Sequence, residues 1–506
     1  MKRRSFLTTI GVSAMTITFS STVTADNIIE IEDWNDLRDI DKNLSADYVL
    51  VNDLTIDSDG YDEHASPNAN DGYGWYPIGF EDWEDATSEI DPFEGNFDGN
   101  GYTIEGLHMT PDLDDSEISG ETGLFGMIEN GEIENLKIDD VKINASSFGS
   151  VLTPFSGEET TIENLQVSNV DAFSTSSFGG IVCEISDEVK IINTEIDNLE
   201  LEVESDDNGI GGFILNLNDD CTIEKSGIKN SKIELNGGMA NVGGFISQVG
   251  FETKISKCYS NNVTIVGGEY DGDYPSYVGI FCSYGTEAEV EKCYANGSIE
   301  GDFGTFVGGF TTGARFDKLE DCFAHINIDV KMHDEDEVYV GGFASHDPLI
   351  LENCYCNANI DVETSTSDKN YYEFSPTTND VDSLDPEFEN CYYNYDNNSD
   401  EFEQNDNEGE IIGLTEDEMV GSNAEDNMDF DFDDVWKVVS TENNHDEDDY
   451  PTLEWAYEEV DDDDDNGGTT DSGMSTNQKL ALGGGGVAAL AGGAYYTTMN
   501  QEEYVE

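Results

Sequence analysis

Gly243-Gly244-Phe245 is one instance of a phrase that returns along most of the chain: Gly123-Leu124-Phe125, Phe148-Gly149, Phe178-Gly179-Gly180, Gly211-Gly212-Phe213, Gly279-Ile280-Phe281, Gly308-Gly309-Phe310 and Gly341-Gly342-Phe343. The lead glycines (Gly123, Gly149, Gly179, Gly211, Gly243, Gly279, Gly308 and Gly341) are 26, 30, 32, 32, 36, 29 and 33 residues apart, the period of a stacked-coil architecture. A second phrase follows each one, as in Ile133-Glu134-Asn135-Leu136, Ile162-Glu163-Asn164-Leu165, Leu351-Glu352-Asn353-Cys354 and Phe388-Glu389-Asn390-Cys391. A looser third follows that, as in Leu199-Glu200-Leu201-Glu202-Val203. All three alternate apolar with polar residues, the mark of half-buried strands. Three short strands per repeat of about thirty residues, joined by Gly/Asn/Asp/Ser turns, predict an all-β fold: a right-handed parallel β-helix of about ten coils. The rival at this period is a β-propeller, whose blades need about four strands in some forty residues. The glycine pair permits a tight corner or close backbone approach, and the apolar residue after it is expected to stack on its counterparts in adjacent coils.

Stacking accounts for five of the nine cysteines. Cys258, Cys293, Cys322, Cys354 and Cys391 fall at one repeat position, where earlier coils carry Leu136, Leu165, Thr194 and Ser226. They are expected to form an internal ladder about 4.8 Å apart. That spacing is within disulfide reach, but a position that also accepts Leu, Ser and Thr favours small buried fillers. No paired Cys/His cluster has zinc spacing, so no metal and no cofactor are expected.

The charge is extreme: 112 acidic against 20 basic residues, a net −92. Such self-repulsion weakens a compact state in dilute buffer, whereas at molar salt the Debye length falls to roughly 3 Å and screens it. The acids alternate with Ile, Val, Leu and Phe, so they read as the solvated faces of strands in a protein of a hypersaline environment. Without a basic patch, nucleic acid is not an expected partner.

Residues 1–25 read as an export leader: Lys2, Arg3 and Arg4, an apolar run, and a small-residue cleavage site ending at Ala25. Arg3 and Arg4 with Phe6 and Leu7 resemble a twin-arginine signal, which exports folded proteins; a plain secretory leader is the alternative. Loss of the leader takes the net charge from −92 to −95. Residues 26–457 are then the β-helix domain with its N-terminal and C-terminal caps. Residues 458–479, with Asp461 to Asp465, form an acidic Gly/Thr/Ser linker. Residues 480–496 are uncharged and at the short limit for a membrane-spanning helix, so they are either an anchor or a flexible segment, and 497–506 are a tail.

The N-terminal block is more distinctive. It carries Trp34-Asn35-Asp36-Leu37, Trp75-Tyr76-Pro77-Ile78-Gly79 and Pro92-Phe93-Glu94-Gly95-Asn96-Phe97-Asp98-Gly99-Asn100-Gly101-Tyr102-Thr103-Ile104. With the glycine repeats and the closing Tyr450-Pro451-Thr452-Leu453-Glu454-Trp455, this resembles the GLUG-motif secreted and surface proteins with a pectate-lyase-like right-handed β-helix, over roughly residues 28–457. The resemblance implies an extracellular scaffold, often adhesive or associated with the cell wall. In some relatives the repeats flank a zinc peptidase, but His64, His108, His325, His333, His346 and His445 form no His-Glu-x-x-His.

Polysaccharide lyases and glycoside hydrolases share this fold class and are the alternative reading. A pectate-type lyase needs a basic group, commonly Arg, beside calcium-holding carboxylates, and only Arg38 and Arg315 remain after the leader. Hydrolysis needs two carboxylates at a set separation, but Asp139-Asp140 and Asp219-Asp220 read as turn residues, so no catalytic residue is assigned. Tyr371-Tyr372, Tyr392-Tyr393 and Tyr395 either stack against glycans or cap the open end of the coil. Asn43, Asn144, Asn262, Asn296 and Asn397 begin Asn-x-Ser/Thr tripeptides. The chain is thus expected to be an adhesive or structural surface protein adapted to high salt, with surface glycans or another cell-surface protein as partner and a membrane contact through its C-terminal segment.

Overall fold

The computed structural model describes residues 28–80, 90–111, 120–204, 209–237, 241–268, 276–333, 337–346, 350–364, 368–375, 387–397, 411–440 and 449–457. The leader, the linker and the 480–496 segment lie outside these residues.

The coil is a parallel β-solenoid. Two sheets of twelve strands and two of eight run its length, and in each a strand pairs in parallel with its equivalent one coil away. One turn shows the plan: strands Thr161–Glu163, Gln166–Ser174, Ser177–Gly179 and Val182–Ile185 pair with Lys190–Ile192, Glu195–Val203, Gly209–Gly211 and Ile214–Leu217 of the next. Each coil therefore has four strands, not three. The recurrent glycine phrase straddles a corner between the third and fourth, so the motif that reads as a single strand is two strands bent sharply together. There are about eight turns rather than ten, because rungs at both ends join only some of the sheets.

The corner between the first and second strands is set by one residue in the left-handed region. Asn135, Asn164, Asn193, Lys225, Lys257, Lys292, Asp321, Asn353 and Asn390 occupy it with φ between +49° and +56°. Asparagine tolerates this conformation better than most residues. It also links the coils: the Asn164 amide donates to Asn135 Oδ1 at 3.1 Å, and Asn193 donates to Asn164 at 2.7 Å.

The glycine corner works by space rather than dihedral angle. A Cβ on Gly243 would lie 1.8 Å from the Ile246 carbonyl oxygen. The following residue points inward and builds a column: Phe213, Phe245, Phe281, Phe310, Phe343 and Phe374 stack with ring centroids 4.5–5.1 Å apart, all within the range of favourable aromatic pairs. The cysteine ladder fills another inner column. All nine cysteines are buried free thiols; Cys293 Sγ accepts the Cys258 N–H at 3.3 Å and donates to the Glu291 carbonyl at 3.2 Å. Burial pushes the thiols of Cys293, Cys322, Cys354 and Cys391 well above their ordinary pKa.

The N-terminal end is covered by helix Trp34–Arg38, capped by the Asp33 carboxylate. Arg38 is spent on this cap. It pairs with Asp41, donates to the Tyr76 carbonyl and lies over the Trp75 ring at 5.2 Å.

Candidate interaction surface

Successive strand residues face opposite sides, so a residue next to an inward cysteine must face out. Here it is aromatic five times: Tyr259, Tyr294, Phe323, Tyr355 and Tyr392 follow the five ladder cysteines. They form an external row of rings, with Tyr294–Phe323 at 5.1 Å and Phe323–Tyr355 at 5.2 Å, nearly parallel. In the preceding coils the same register holds Gly227, Glu195, Gln166 and Lys137.

The aromatic row is covered by the last described segments, within 415–457. After strand Ile411–Leu414, helices Glu416–Met419 and Ser422–Asn427 and the antiparallel pair Trp436–Lys437 and Thr452–Leu453 form a strap along the flank. Met419, Met428, Phe430, Trp436, Tyr450 and Leu453 bury Tyr294, Phe323, Tyr355 and Tyr392 in a second apolar cluster, separate from the solenoid core. Directed bonds fix its register: Trp436 Nε1 donates to Asp321 Oδ1 at 3.2 Å, Trp455 Nε1 to the Lys292 carbonyl at 2.9 Å, and the Tyr355 hydroxyl to the Pro451 carbonyl at 2.5 Å. His325 sits beneath, its Nε2 2.9 Å from the Tyr355 hydroxyl and its ring against Phe323 and Tyr450. Burial lowers its pKa to about 4, so the ring is neutral at pH 7.

The tyrosines expected either to meet glycans or to cap the open end divide among three places. Tyr371 and Tyr393 point into the core of the last coils, Tyr392 lies under the strap, and Tyr395 is exposed. Another aromatic ladder, Tyr277–Phe306–Tyr339, stacks at 4.7 and 4.9 Å outside the glycine corner, with His346 against it. Its ring faces cover one another, leaving edges rather than platforms outward. A recess lined by Leu235, Ser276, Val278 and Phe303 measures about 10 Å³, room for one water and not for a sugar.

The enzyme candidates disperse. Arg38 belongs to the N-terminal cap, and Arg315 ends strand Thr311–Arg315, paired with Thr286. Asp139 accepts from Ser168 and Asn169, both at 2.7 Å, while Asp140 and Asp220 hold left-handed turns. Among the described residues, no three His, Cys, Asp or Glu side chains gather into a metal-binding group. Of the Asn-x-Ser/Thr asparagines, Asn262 donates to Asn230 and Asn397 to Asn357, whereas Asn43 is exposed beside a short 3-10 helix.

What the outer surface presents is charge. Asp98, Glu134 and Glu163 lie in direct register on consecutive coils, as do Glu291, Glu320, Glu352 and Glu389. Like charges about 4.8 Å apart repel. Burial, then Asp98 and Glu132, raise the Glu134 pKa. Lys318 relieves one such stack, its Nζ lying 2.8 Å from Glu320 and 2.6 Å from Glu352.

No protein-family model matches the chain. It is similar to halomucin of Haloquadratum walsbyi, 26% identical over 185 residues, or 34% of this chain; the match spans 2% of that much longer protein. Among solved structures it is similar to a putative immunoglobulin A1 protease from Bacteroides ovatus, at 13% identity over 86% of this chain and 94% of that one, with a TM-score of 0.26. No helix among the described residues is long and apolar enough to cross a membrane.

Proposed function

We propose that this chain is a secreted surface protein of saline environments whose solenoid acts as an adhesive or structural rod, contacting surface glycans or another surface protein. The observation that carries the reading is the division of labour within each coil. Stacked Phe, Ile and Cys columns occupy the inside, and carboxylate columns, one of them partly relieved by Lys318, occupy the outside, an arrangement suited to screening by concentrated salt. The similarity to part of halomucin, a protein of Haloquadratum walsbyi, supports the saline setting. Described carboxylates such as Asp139 and Asp220 serve hydrogen bonds and turns, which supports binding over hydrolysis. The GLUG resemblance, the twin-arginine-like leader and the 480–496 segment together support export followed by retention at the surface.

The test is to incubate the mature chain in molar sodium chloride with acidic and neutral polysaccharides, and to measure retention and reducing-end release in parallel. Retention without cleavage is expected. Release of oligosaccharide would replace this reading with that of a polysaccharide lyase or hydrolase.

A further inference from the structure

The strap and the coils are held by different forces. Each coil is pinned on both sides by parallel ladders and filled by columns continuous with its neighbours. The strap touches the solenoid on one flank, through one apolar cluster and a few directed bonds. Fixing a backbone residue costs about 1–2 kcal/mol, whereas burying a large apolar side chain contributes about 1.5–3 kcal/mol. The cluster holds the strap through seven of its own buried side chains, against the ordering of the 35 described residues in 415–440 and 449–457, so the strap belongs at the low-stability end of the molecule.

Charge adds to this difference. The described strap residues carry Glu416, Asp417, Glu418, Glu425, Asp426, Asp429, Asp431, Asp433, Asp434, Asp449 and Glu454 against one cation, Lys437, whose partner is Glu454 within the strap itself. This acidic segment is bonded to Asp321 and to Lys292, each the next residue after a member of the Glu291, Glu320, Glu352 and Glu389 column. The Debye length is about 3 Å at molar salt and about 10 Å at 0.1 M, so dilution lets charges on the two bodies act across the whole thickness of the strap.

We propose that the strap is a salt-gated cover. At molar salt it lies closed on the Tyr259, Tyr294, Phe323, Tyr355 and Tyr392 row; on dilution it lifts as a unit and bares that row while the coils remain folded. The device rests on the high-salt reading above and adds a second, earlier transition to it. A chain held at a surface would then change from a purely acidic flank to one bearing an apolar stripe when its surroundings are diluted.

The two bodies carry separate reporters. Trp436 and Trp455 report on the strap, and the cysteine ladder, enclosed by the coils, reports on the solenoid. The full mature chain would be diluted stepwise from molar sodium chloride while limited proteolysis within 415–440, tryptophan emission and thiol titration are followed. A Trp436→Phe variant assigns the emission change.

The expected result is strap cleavage and emission loss at a salt concentration several-fold above that at which the thiols react. Coincident transitions, or thiols reacting first, would overturn the proposal. In Asp417→Asn/Glu425→Gln/Asp426→Asn/Asp433→Asn, all exposed sites, the strap midpoint should fall by about two-fold with the thiol midpoint unmoved. An unchanged strap midpoint would also overturn it. Indifference of both transitions to salt would sink the high-salt reading as well, so the two failures are distinguishable.

Discussion

Replacing Gly243 by alanine tests whether the corner is a matter of space. The new Cβ would sit 1.8 Å from the Ile246 carbonyl oxygen, where ordinary contact begins at 3.4 Å, so about 1.6 Å of separation must be found. Backbone, not a flexible side chain, stands in the way. Opening the corner by that amount disturbs four hydrogen bonds, Phe245 N and Ile246 N to the Phe281 carbonyl and Phe213 N and Ile214 N to the Phe245 carbonyl, at 2.9–3.2 Å. At roughly 0.5–1.5 kcal/mol each, with two ring stacks of similar worth displaced, the loss is about 4 kcal/mol. The control is Gly72→Ala. Gly72 has φ +100° but nothing within 4 Å of its built Cβ, so alanine there should cost only about 1–2 kcal/mol of left-handed strain. Thermal unfolding of both variants in molar sodium chloride, followed by circular dichroism, should place Gly243→Ala about 2–3 °C below Gly72→Ala. Equal melting temperatures, or a Gly243→Ala protein as stable as the parent, would refute the steric account.

Burial should make all nine cysteines inert to alkylation at pH 8 in molar salt until the coils open; labelling of more than one in the folded protein would contradict the ladder. His325 has a folded pKa of about 4 against an ordinary 6.5, so its contribution is complete above pH 6.5 and lost as the pH falls towards 4, by at most about 3 kcal/mol; His325→Asn should flatten that part of the denaturant-midpoint profile. Glu134 behaves oppositely. Its raised pKa means the unfolded chain releases the proton first, so this carboxyl costs stability as the pH rises through the carboxylate range. Glu134→Gln should therefore unfold at lower salt than the parent at pH 7. At Glu373, buried at the last turn with an unbonded carboxylate oxygen and a pKa raised by burial, Glu373→Gln should raise the urea midpoint at pH 7 and leave it unchanged at pH 4.

The inner architecture was legible because stacking repeats its demands once per coil. Glycine, Phe and Cys recur at fixed offsets, and each offset became a column. The fourth strand was hidden, since two strands meeting at Gly-Gly-Phe leave no turn residue between them. The strap was also missed, although its signal was present. Tyr or Phe beside each ladder cysteine places a large ring outside the coil, and such a row calls for a cover; Trp436, Tyr450 and Trp455 are the residues that provide it. Nothing in the order of the chain says that residues near 455 return to coils formed near 259 and 294, because that contact is long-range and unrepeated. The enzyme candidates dissolved for a related reason: in a sequence so rich in carboxylates, adjacency along the chain carries no information about convergence in space.

The strap has a mechanical consequence. Trp455 lies against Tyr259 and Tyr294, several coils short of the C-terminal end of the rod, so the described chain leaves the molecule from its side. A pull on that end reaches the Trp455 contact, then the pairing of Thr452–Leu453 with Trp436–Lys437 and the Trp436 contact, before any solenoid sheet bears load. Under tension the rod would lie broadside to whatever holds it, and the parallel ladders would be spared until the aromatic seam had parted.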